Sequence, residues 1–243
     1  MSVAQDWRAR WRSLLDRLQP VADEARVQRL LDELQQPRGC TRVGFVNAHA
    51  MNLAASSAEY HAALASLDLL LRDGSGMAIL LRRLGLPVGL NMNGTDFIPR
   101  LLETYRGRKV AFWGTAEPFL GQAARRAEAQ FGVRVVSCAH GFDALDHYLE
   151  LAQRERPELI VLGMGMPKQE QLAQRLAERG EPCVVVCGGA ILDFLGDKVS
   201  RAPRWVRGLG CEWAYRLLLE PRRLFGRYVL GNPLFIWRTW RLD

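Results

Sequence analysis

The stretch "ELIVLGMGMPKQEQ", residues 158–171, joins an apolar run to a glycine-rich turn and then to a polar, helix-forming segment. The apolar run shows no polar alternation, which is typical of a strand covered on both faces of a parallel sheet. Pro167 suits the first position of the following helix, where a missing N–H costs no hydrogen bond. The junction therefore predicts a strand, a tight turn and a helix, with backbone N–H groups left free for something small and anionic.

The same alternation recurs along most of the chain. Strands are predicted at residues 41–48, 67–71, 109–114, 133–138, 158–165 and 183–189, and helices at 52–66, 75–85, 95–106, 117–130, 143–155 and 168–180. Strands that alternate with helices of this size predict a doubly wound, mainly parallel α/β sheet with helices on both faces. Ligands of such sheets bind beyond the carboxyl ends of the strands. We therefore expect the site among the residues that follow each strand.

The two ends of the chain differ from the alternating part. Apolar residues at helical spacing predict two amphipathic helices in residues 1–38. The alternating core covers residues 39–196, and residues 197–243 are predicted to form an appendage. Its short helices are expected to be divided by Gly208, Gly210, Pro221 and the "GNP" at 231–233.

Composition narrows the class of protein. With 49% hydrophobic and 24% charged residues, the 243-residue chain is expected to be globular rather than disordered. Residues 201–243 contain nine arginines, no lysine and three acidic residues, which places +6 of the formal net charge of +7 in this segment. The segment also holds four of the seven tryptophans. Arginine combined with tryptophan suits a surface that binds anionic lipid headgroups, phosphates or nucleic acid.

Targeting and metal-binding signals are weak. The first 20 residues lack the apolar core of a secretory signal and no run is long enough to span a membrane, so a cytoplasmic location is predicted. Five scattered cysteines without C-x-x-C spacing are expected to be reduced. Four histidines without compact ligand spacing give no indication of a metal site.

Polar residues near the predicted strand ends are the candidates for chemistry. Asp73 in "RDGSG" could act as a general base or merely cap the next helix, and the spacing leaves both open. Thr95 and Asp96 in "NGTDF" are even more typical of a cap. The glycine-rich turns match neither G-x-G-x-x-G nor the P-loop pattern, which disfavours dinucleotide oxidoreductases and P-loop nucleotidases.

Arginines at 216, 222, 223 and 227 straddle Pro221 in the appendage. They could converge on a pair of phosphates, because the guanidinium fork binds phosphate oxygens in a bidentate manner. The alternative is a solvated basic face.

Taken in order, several stretches resemble one family. They are "RDGSG", "NGTDF", "GMGMPKQE", "CGGAILDFLGDKVSRAPRWVRGLGCEWAYRLLLEPRR" and the closing "GNP". Together they resemble the WecG/TagA/CpsF glycosyltransferases, glycosyltransferase family 26, over roughly residues 40–235. The resemblance implies an inverting transfer of a sugar, without metal or other cofactor, in cell-surface or exopolysaccharide biosynthesis. The implied donor is a UDP-sugar, and the implied acceptor is a polyprenyl-diphosphate-linked saccharide at the inner face of the plasma membrane.

The resemblance also implies partners and leaves some of them open. An anionic membrane surface is implied as a partner, and nucleic acid is not. N-acetylmannosamine, its uronic acid and glucose all remain possible donor sugars, and a homo-oligomer remains open. The alternative function is a noncatalytic α/β protein that binds nucleic acid or lipid through its basic tail. Another sugar-nucleotide enzyme, such as an epimerase, is disfavoured by the absent dinucleotide fingerprint.

Roles for single residues follow from the resemblance. It implies that Asp73 is the catalytic base and that Gln169 lines the pocket. Arg216 and Arg223 are expected to close over the site and stabilise the departing diphosphate. Arg227 is also expected at the donor site, although Gly226 occupies the matching family position and Arg227 follows it. Six glycines are expected at the donor site, namely Gly74, Gly114, Gly163, Gly165, Gly188 and Gly189. The sugar pocket is expected to include Thr95 and Asp96, together with Asn47 and His49, which replace the Thr-x-Asn of many members.

Overall fold

The computed structural model describes residues 3–208 and 211–242, and for residues 3–6, 204 and 207 it describes the backbone alone. The strands found there are β1 (Leu18–Gln19), β2 (Cys40–Val46), β3 (Leu69–Arg72), β4 (Lys109–Gly114), β5 (Arg134–Ala139), β6 (Leu159–Gly163) and β7 (Cys183–Cys187). They form one sheet in the order β1-β3-β2-β7-β6-β4-β5, and every pairing is parallel. The predicted parallel α/β fold is confirmed.

Helices cover both faces of the sheet. They are α1 (Val3–Arg17), α2 (Glu24–Gln35), α3 (Ala48–Ser56), α4 (Ala58–Ala65), α5 (Gly74–Arg83), α6 (Gly94–Thr104), α7 (Phe119–Phe131), α8 (Leu145–Glu155), α9 (Lys168–Ala177) and α10 (Ile191–Leu195). Two apolar cores result, one on each face, and neighbouring strand residues such as Val161 and Leu162 point into different cores. This two-sided burial explains why the strand sequences lack polar alternation.

Three local predictions need correction. β1 precedes the strand that was predicted to be first, and two residues are too few to show a hydrophobic period. The helix predicted at 52–66 is two helices, α3 and α4, because the hydroxyl of Ser57 caps α4 by accepting from the Tyr60 N–H at 3.1 Å. Pro167 lies one position earlier than predicted, directly before α9.

At the carboxyl edge, several neighbouring strands are followed by helices that pack on opposite faces of the sheet. The helices after β2 and β7 pack in opposite cores, as Met51 of α3 and Leu192 of α10 illustrate. The helices after β6 and β4 diverge in the same way, with Leu172 of α9 and Ala123 of α7 in different cores. Diverging connections leave space between neighbouring strand ends, and this space is where α/β sheets bind ligands.

The appendage consists of α11 (Arg204–Gly208), α12 (Glu212–Leu219), α13 (Pro221–Phe225), a π-helical turn (Gly226–Leu230) and α14 (Gly231–Trp240). The break predicted at 231–233 does not occur, because the π-helical turn runs directly into α14, whose first turn tolerates Pro233. Gly210 lies outside the described residues.

The last helix is anchored on the core. Phe235 is buried, and its ring lies 5.3 Å from that of Trp11. Two arginines of α1 bind carbonyls at the end of α14, since Arg8 donates to the Arg241 oxygen at 2.7 Å and Arg12 donates to the Leu242 oxygen at 3.0 Å. Such contacts satisfy carbonyls that a helix terminus leaves without partners. The first helix therefore holds the appendage in place.

The outer side of the appendage is apolar and open to solvent. Leu218 is 81% exposed, Leu230 is 64% exposed and Trp237 is 53% exposed. Among the described helices, none combines the length and the apolar character that crossing a bilayer requires. Exposed apolar side chains of this size commonly mark an interaction surface.

Candidate active site

Asp73 lies at the end of β3, on the carboxyl edge of the sheet. It occupies the residue before α5, yet its side chain makes no capping hydrogen bond to that helix. The carboxylate instead accepts a hydrogen bond from Asn47 Nδ2 at 3.1 Å. The N–H of Gly74, the first residue of α5, donates to Asn91 Oδ1 at 2.7 Å. Asp73 is thus held in place without being used by the helix.

The surroundings of Asp73 make its carboxylate easier to protonate than an exposed one. Burial raises the pKa of its carboxyl above the ordinary 3.8. The hydrogen bond from Asn47 and the positive charges of Arg227 and Arg216 lower the pKa by a smaller amount. A carboxylate with a raised pKa is a stronger proton acceptor, which suits a general base.

Asn47 and His49 begin α3 beside Asp73. Asn47 caps the helix, since its Oδ1 accepts from the Ala50 N–H at 3.0 Å, and this contact turns Nδ2 towards Asp73. Burial and, to a smaller extent, the charge of Arg227 lower the pKa of His49 to about 4, so the imidazole is neutral at pH 7. The two residues contribute a fixed amide and an uncharged ring.

Arg216 and Arg227 direct positive charge from the appendage towards the core. The Arg216 guanidinium lies 5.4 Å from the centre of the Phe194 ring, and that of Arg227 lies 5.3 Å from the centre of the Tyr228 ring. Each has a buried Nε without a hydrogen-bond partner in the described part of the chain. Buried donors are normally paired, so these two are available to an anionic ligand.

Arg223 is engaged elsewhere. Its Nε donates to Glu220 Oε1 at 2.8 Å, and a second, short contact joins the same two side chains. The hydrogen bonds with Glu220 and, more weakly, the charge of Asp193 raise the pKa of Arg223. A diphosphate that binds Arg223 would have to share its guanidinium with Glu220 or displace that carboxylate.

Sequence reasoning missed a polar cluster after β4. Thr115 Oγ1 donates to Asp193 Oδ1 at 2.6 Å, and Lys198 Nζ lies 3.1 Å from the same oxygen. Thr115 has a positive φ of 42°, which is uncommon for a residue other than glycine. These residues are separated by up to 83 positions in the chain, so no local pattern could have predicted the contact.

Three of the predicted glycines are explained by packing. A Cβ on Gly114 would lie 2.4 Å from the backbone of Gly163, and one on Gly163 would lie 2.9 Å from Leu192. A Cβ on Gly188 would lie 2.5 Å from Ile191. Their small size brings the strand ends together, whether or not a ligand binds.

The other three glycines face open space. Gly165 has a φ of 79° and Gly189 a φ of 59°, values that favour glycine, and a Cβ on either would meet no atom within 4 Å. Gly74 is equally uncrowded. A ligand could approach the backbone at these positions.

Gln169 is buried and does not face the solvent at the carboxyl edge of the sheet. Its residue is 1% exposed, its Oε1 accepts from the Gly189 N–H at 3.1 Å, and its Nε2 donates to Glu170 Oε1 at 2.8 Å. Both ends of the amide are therefore used inside the protein. The direct contact with a ligand that the resemblance implies would require this side chain to move.

Thr95 and Asp96 lie in the first turn of α6, which is capped by Asn93. Asn93 accepts from the Asp96 N–H at 3.0 Å, and Asn93 Nδ2 donates back to Asp96 Oδ2 at 2.8 Å. Asp96 also forms an ion pair with Arg201 at 2.6 Å, which ties α6 to the appendage. The cap expected at Thr95 and Asp96 is thus shared between Asn93 and Asp96.

The carboxyl edge combines the Asp73 carboxylate with two arginines, each of which has a buried Nε without a hydrogen-bond partner among the described residues. Such a combination suits transfer to a nucleophile with an anionic leaving group. Residues 15–242 match the profile of the glycosyl transferase WecG/TagA/CpsF family. The protein belongs to this family. It is therefore a glycosyltransferase, and the resemblance predicted from the sequence is confirmed.

Three proteins with similar sequences carry the name N-acetylglucosaminyldiphosphoundecaprenol N-acetyl-beta-D-mannosaminyltransferase. The one from Bacillus spizizenii is 27% identical over 183 residues, which cover 73% of this chain and 70% of the relative. The one from Bacillus subtilis is 24% identical, and the match covers 74% of this chain and 72% of the relative. The one from Staphylococcus aureus is 26% identical, and the match covers 79% of this chain and 76% of the relative.

Proposed function

We propose that this glycosyltransferase moves a sugar from a UDP-sugar to a hydroxyl of a polyprenyl-diphosphate-linked saccharide, with inversion and without a metal ion. The observation that carries the proposal is the Asp73 carboxylate, which is fixed by Asn47 and left unused by α5. The acceptor class is supported by the relatives, whose names specify a diphosphoundecaprenol-linked saccharide.

The reaction is a single displacement. The acceptor oxygen attacks the anomeric carbon while Asp73 takes the hydroxyl proton, so the new bond forms on the face opposite UDP. The bond between the anomeric carbon and the diphosphate oxygen breaks, and its electron pair leaves with UDP. The raised pKa of Asp73 increases its affinity for the proton that it must accept.

The leaving diphosphate gains negative charge as the bond breaks. In our proposal Arg216 and Arg227 offset that charge, because their buried Nε atoms have no other partner among the described residues. Arg223 joins them after it leaves Glu220. The turns at Gly165 and Gly189 offer room for the nucleotide near the same edge.

The test is UDP release from a panel of UDP-sugars. Each donor is mixed with a water-soluble, short-chain polyprenyl-diphosphate-linked N-acetylglucosamine or glucose, with and without EDTA. We expect release that depends on the acceptor, survives EDTA and occurs with one donor. Release abolished by EDTA would contradict the metal-independent mechanism, and the absence of release with every pair would contradict the proposed substrates.

We also propose that the exposed apolar side of the appendage contacts an anionic membrane on the cytoplasmic side. Leu218, Leu230 and Trp237 would enter the headgroup boundary, since large apolar side chains beside arginines favour that location. A lipid-linked acceptor would then be presented next to the arginines that close the site.

Liposome flotation tests the membrane contact. Replacing Leu218, Leu230 and Trp237 by serine is expected to reduce flotation with anionic vesicles by about tenfold, because about 1–2 kcal/mol of transfer free energy is lost. The control is Phe142→Ser, which removes a side chain that is 78% exposed but lies after β5, outside the appendage. Equal flotation of the triple variant and the wild type would contradict this contact.

A further inference from the structure

We propose that Glu170 is a positioning residue that holds Gln169 and, through it, the Gly188–Gly189 turn at the carboxyl end of β7. This inference deepens the proposed function and rests on it where it treats that turn as part of the nucleotide site. The positioning of Gln169 and of the turn by Glu170 is argued only from contacts between described residues.

The orientation of the Gln169 amide is fixed from one side. The Gly189 N–H is a donor, so it requires the carbonyl oxygen of Gln169, which accepts it at 3.1 Å. The NH₂ group must then point away, and it donates to Glu170 Oε1 at 2.8 Å. Neighbouring residues of a helix do not normally face each other. At the start of α9 both side chains bend to the same interior side, where each residue is 1% exposed.

Two backbone hydrogen bonds among the described residues also hold the turn, and one of them joins the Ile191 N–H to the Gly188 oxygen at 3.2 Å. Gly189 has a φ of 59° and open space on the side where a Cβ would be. On the inner side, the Gly188 N–H donates to the Leu162 oxygen at 2.8 Å. The Gln169 side chain adds a contact at the next residue by accepting from the Gly189 N–H. The orientation of this side chain depends on Glu170, which accepts from its NH₂ group.

The second oxygen of Glu170 indicates a neutral carboxyl. Glu170 Oε2 is buried and has no hydrogen-bond partner in the described ranges. An unpaired buried charge is costly, and burial raises the pKa of Glu170 from 4.5 to about 8. The ionisable groups that face it are Tyr60 on α4 and Cys187 on β7, and burial raises the pKa of each well above its ordinary value. No side chain described in β2 or α8, which also pack on α9, shifts the pKa of Glu170.

Two substitutions separate positioning from simple filling of space. Glu170→Met keeps the volume but removes the acceptor, so the Gln169 NH₂ group loses its partner. Glu170→Gln keeps the acceptor and stays neutral at every pH, so it imitates the protonated carboxyl. Gln171→Met is the matched control, because Gln171 is the next residue of α9 and binds Glu59 at 2.8 Å on the outside.

Amide hydrogen exchange of a peptide covering residues 184–196, which begins far enough before Gly189 to report its N–H, is the primary readout and is measured on the full chain at pH 7. We expect Glu170→Met to accelerate exchange at the turn by about tenfold or more, and Glu170→Gln and Gln171→Met to leave it within about twofold of the wild type. Slow exchange in Glu170→Met, or equal acceleration in Glu170→Gln, would overturn the positioning role.

The pH dependence of stability supplies a second readout. The folded pKa of Glu170 is raised, so the protonated form stabilises the fold, and this stabilisation is lost as pH rises from about 4.5 to about 8. The unfolding midpoint of the wild type should fall across this window more steeply than that of Glu170→Gln. Equal slopes would contradict the neutral carboxyl.

UDP binding separates this inference from the proposed function. If the turn is a nucleotide site, Glu170→Met should raise the Kd for UDP by about tenfold. Glu170→Gln should have a Kd for UDP close to that of the wild type. The wild type could bind no UDP while Glu170→Met still accelerates exchange at the turn. That result would support the positioning role and overturn the proposed function alone.

Discussion

Asp73→Asn is expected to lower kcat about a thousandfold while the Kd for the UDP-sugar changes by less than about threefold. The substitution removes the proton acceptor, and general-base catalysis contributes about 10²–10⁴ to the rate. Asparagine can still accept the hydrogen bond that Asn47 donates at 3.1 Å, so the local structure should survive. The measurements are initial rates of UDP release with a soluble acceptor and calorimetric titration with the donor.

A matched control lies near the other end of the same strand. Asp68 directly precedes β3 at the opposite edge of the sheet, and its carboxylate pairs with Arg42 at 2.9 Å. Asp68→Asn should leave turnover within about twofold, since an exposed pair of this kind contributes at most about 1 kcal/mol to stability. Normal turnover in Asp73→Asn would remove the base assignment. The raised pKa of Asp73 further predicts that wild-type turnover falls on acidification with an apparent pKa above 3.8.

Arg216→Met and Arg227→Met should each lower kcat about a hundredfold, with a smaller rise in the KM for the donor. Methionine keeps an apolar side chain but removes the charge that offsets the developing diphosphate, a contribution of about 10²–10³ in rate. The two effects should be less than additive if both arginines act on the same leaving group. Steady-state kinetics of the single and double variants with the soluble acceptor would measure this.

Arg222→Met is the control for general loss of charge. Arg222 lies in α13 between the two arginines and is exposed, so its replacement should leave kcat within about twofold. Variants of Arg216 and Arg227 that affect the KM for the donor without affecting kcat would instead assign these residues to ground-state binding. An equal loss in Arg222→Met would indicate that the net charge of the appendage matters rather than particular guanidinium groups.

The contacts of Gln169 and Arg223 illustrate the limits of sequence reasoning. The family pattern predicts both residues at the site. Only the folded structure reveals that Gln169 is buried between Gly189 and Glu170, and that Arg223 is paired with Glu220. Which partner a side chain selects depends on competing donors and acceptors that fold next to it, and a spacing pattern does not record this competition.

The sequence by itself determined the class of fold and the family, and it predicted the strand ends as the place of the candidate site. These features follow from short-range patterns, because hydrophobic period and turn residues act within about 10–20 neighbouring positions. It also predicted Asp73 as a candidate but left open whether that residue caps α5.

Only the tertiary structure decided that question and several others. It shows Asp73 bound to Asn47, 26 positions away in the chain, and Thr115 bound to Asp193, 78 positions away. It also adds β1, whose two residues form a strand only because β3 lies beside them. These features depend on long-range contacts, and their free energy arises when distant segments pack and exclude water from the groups between them.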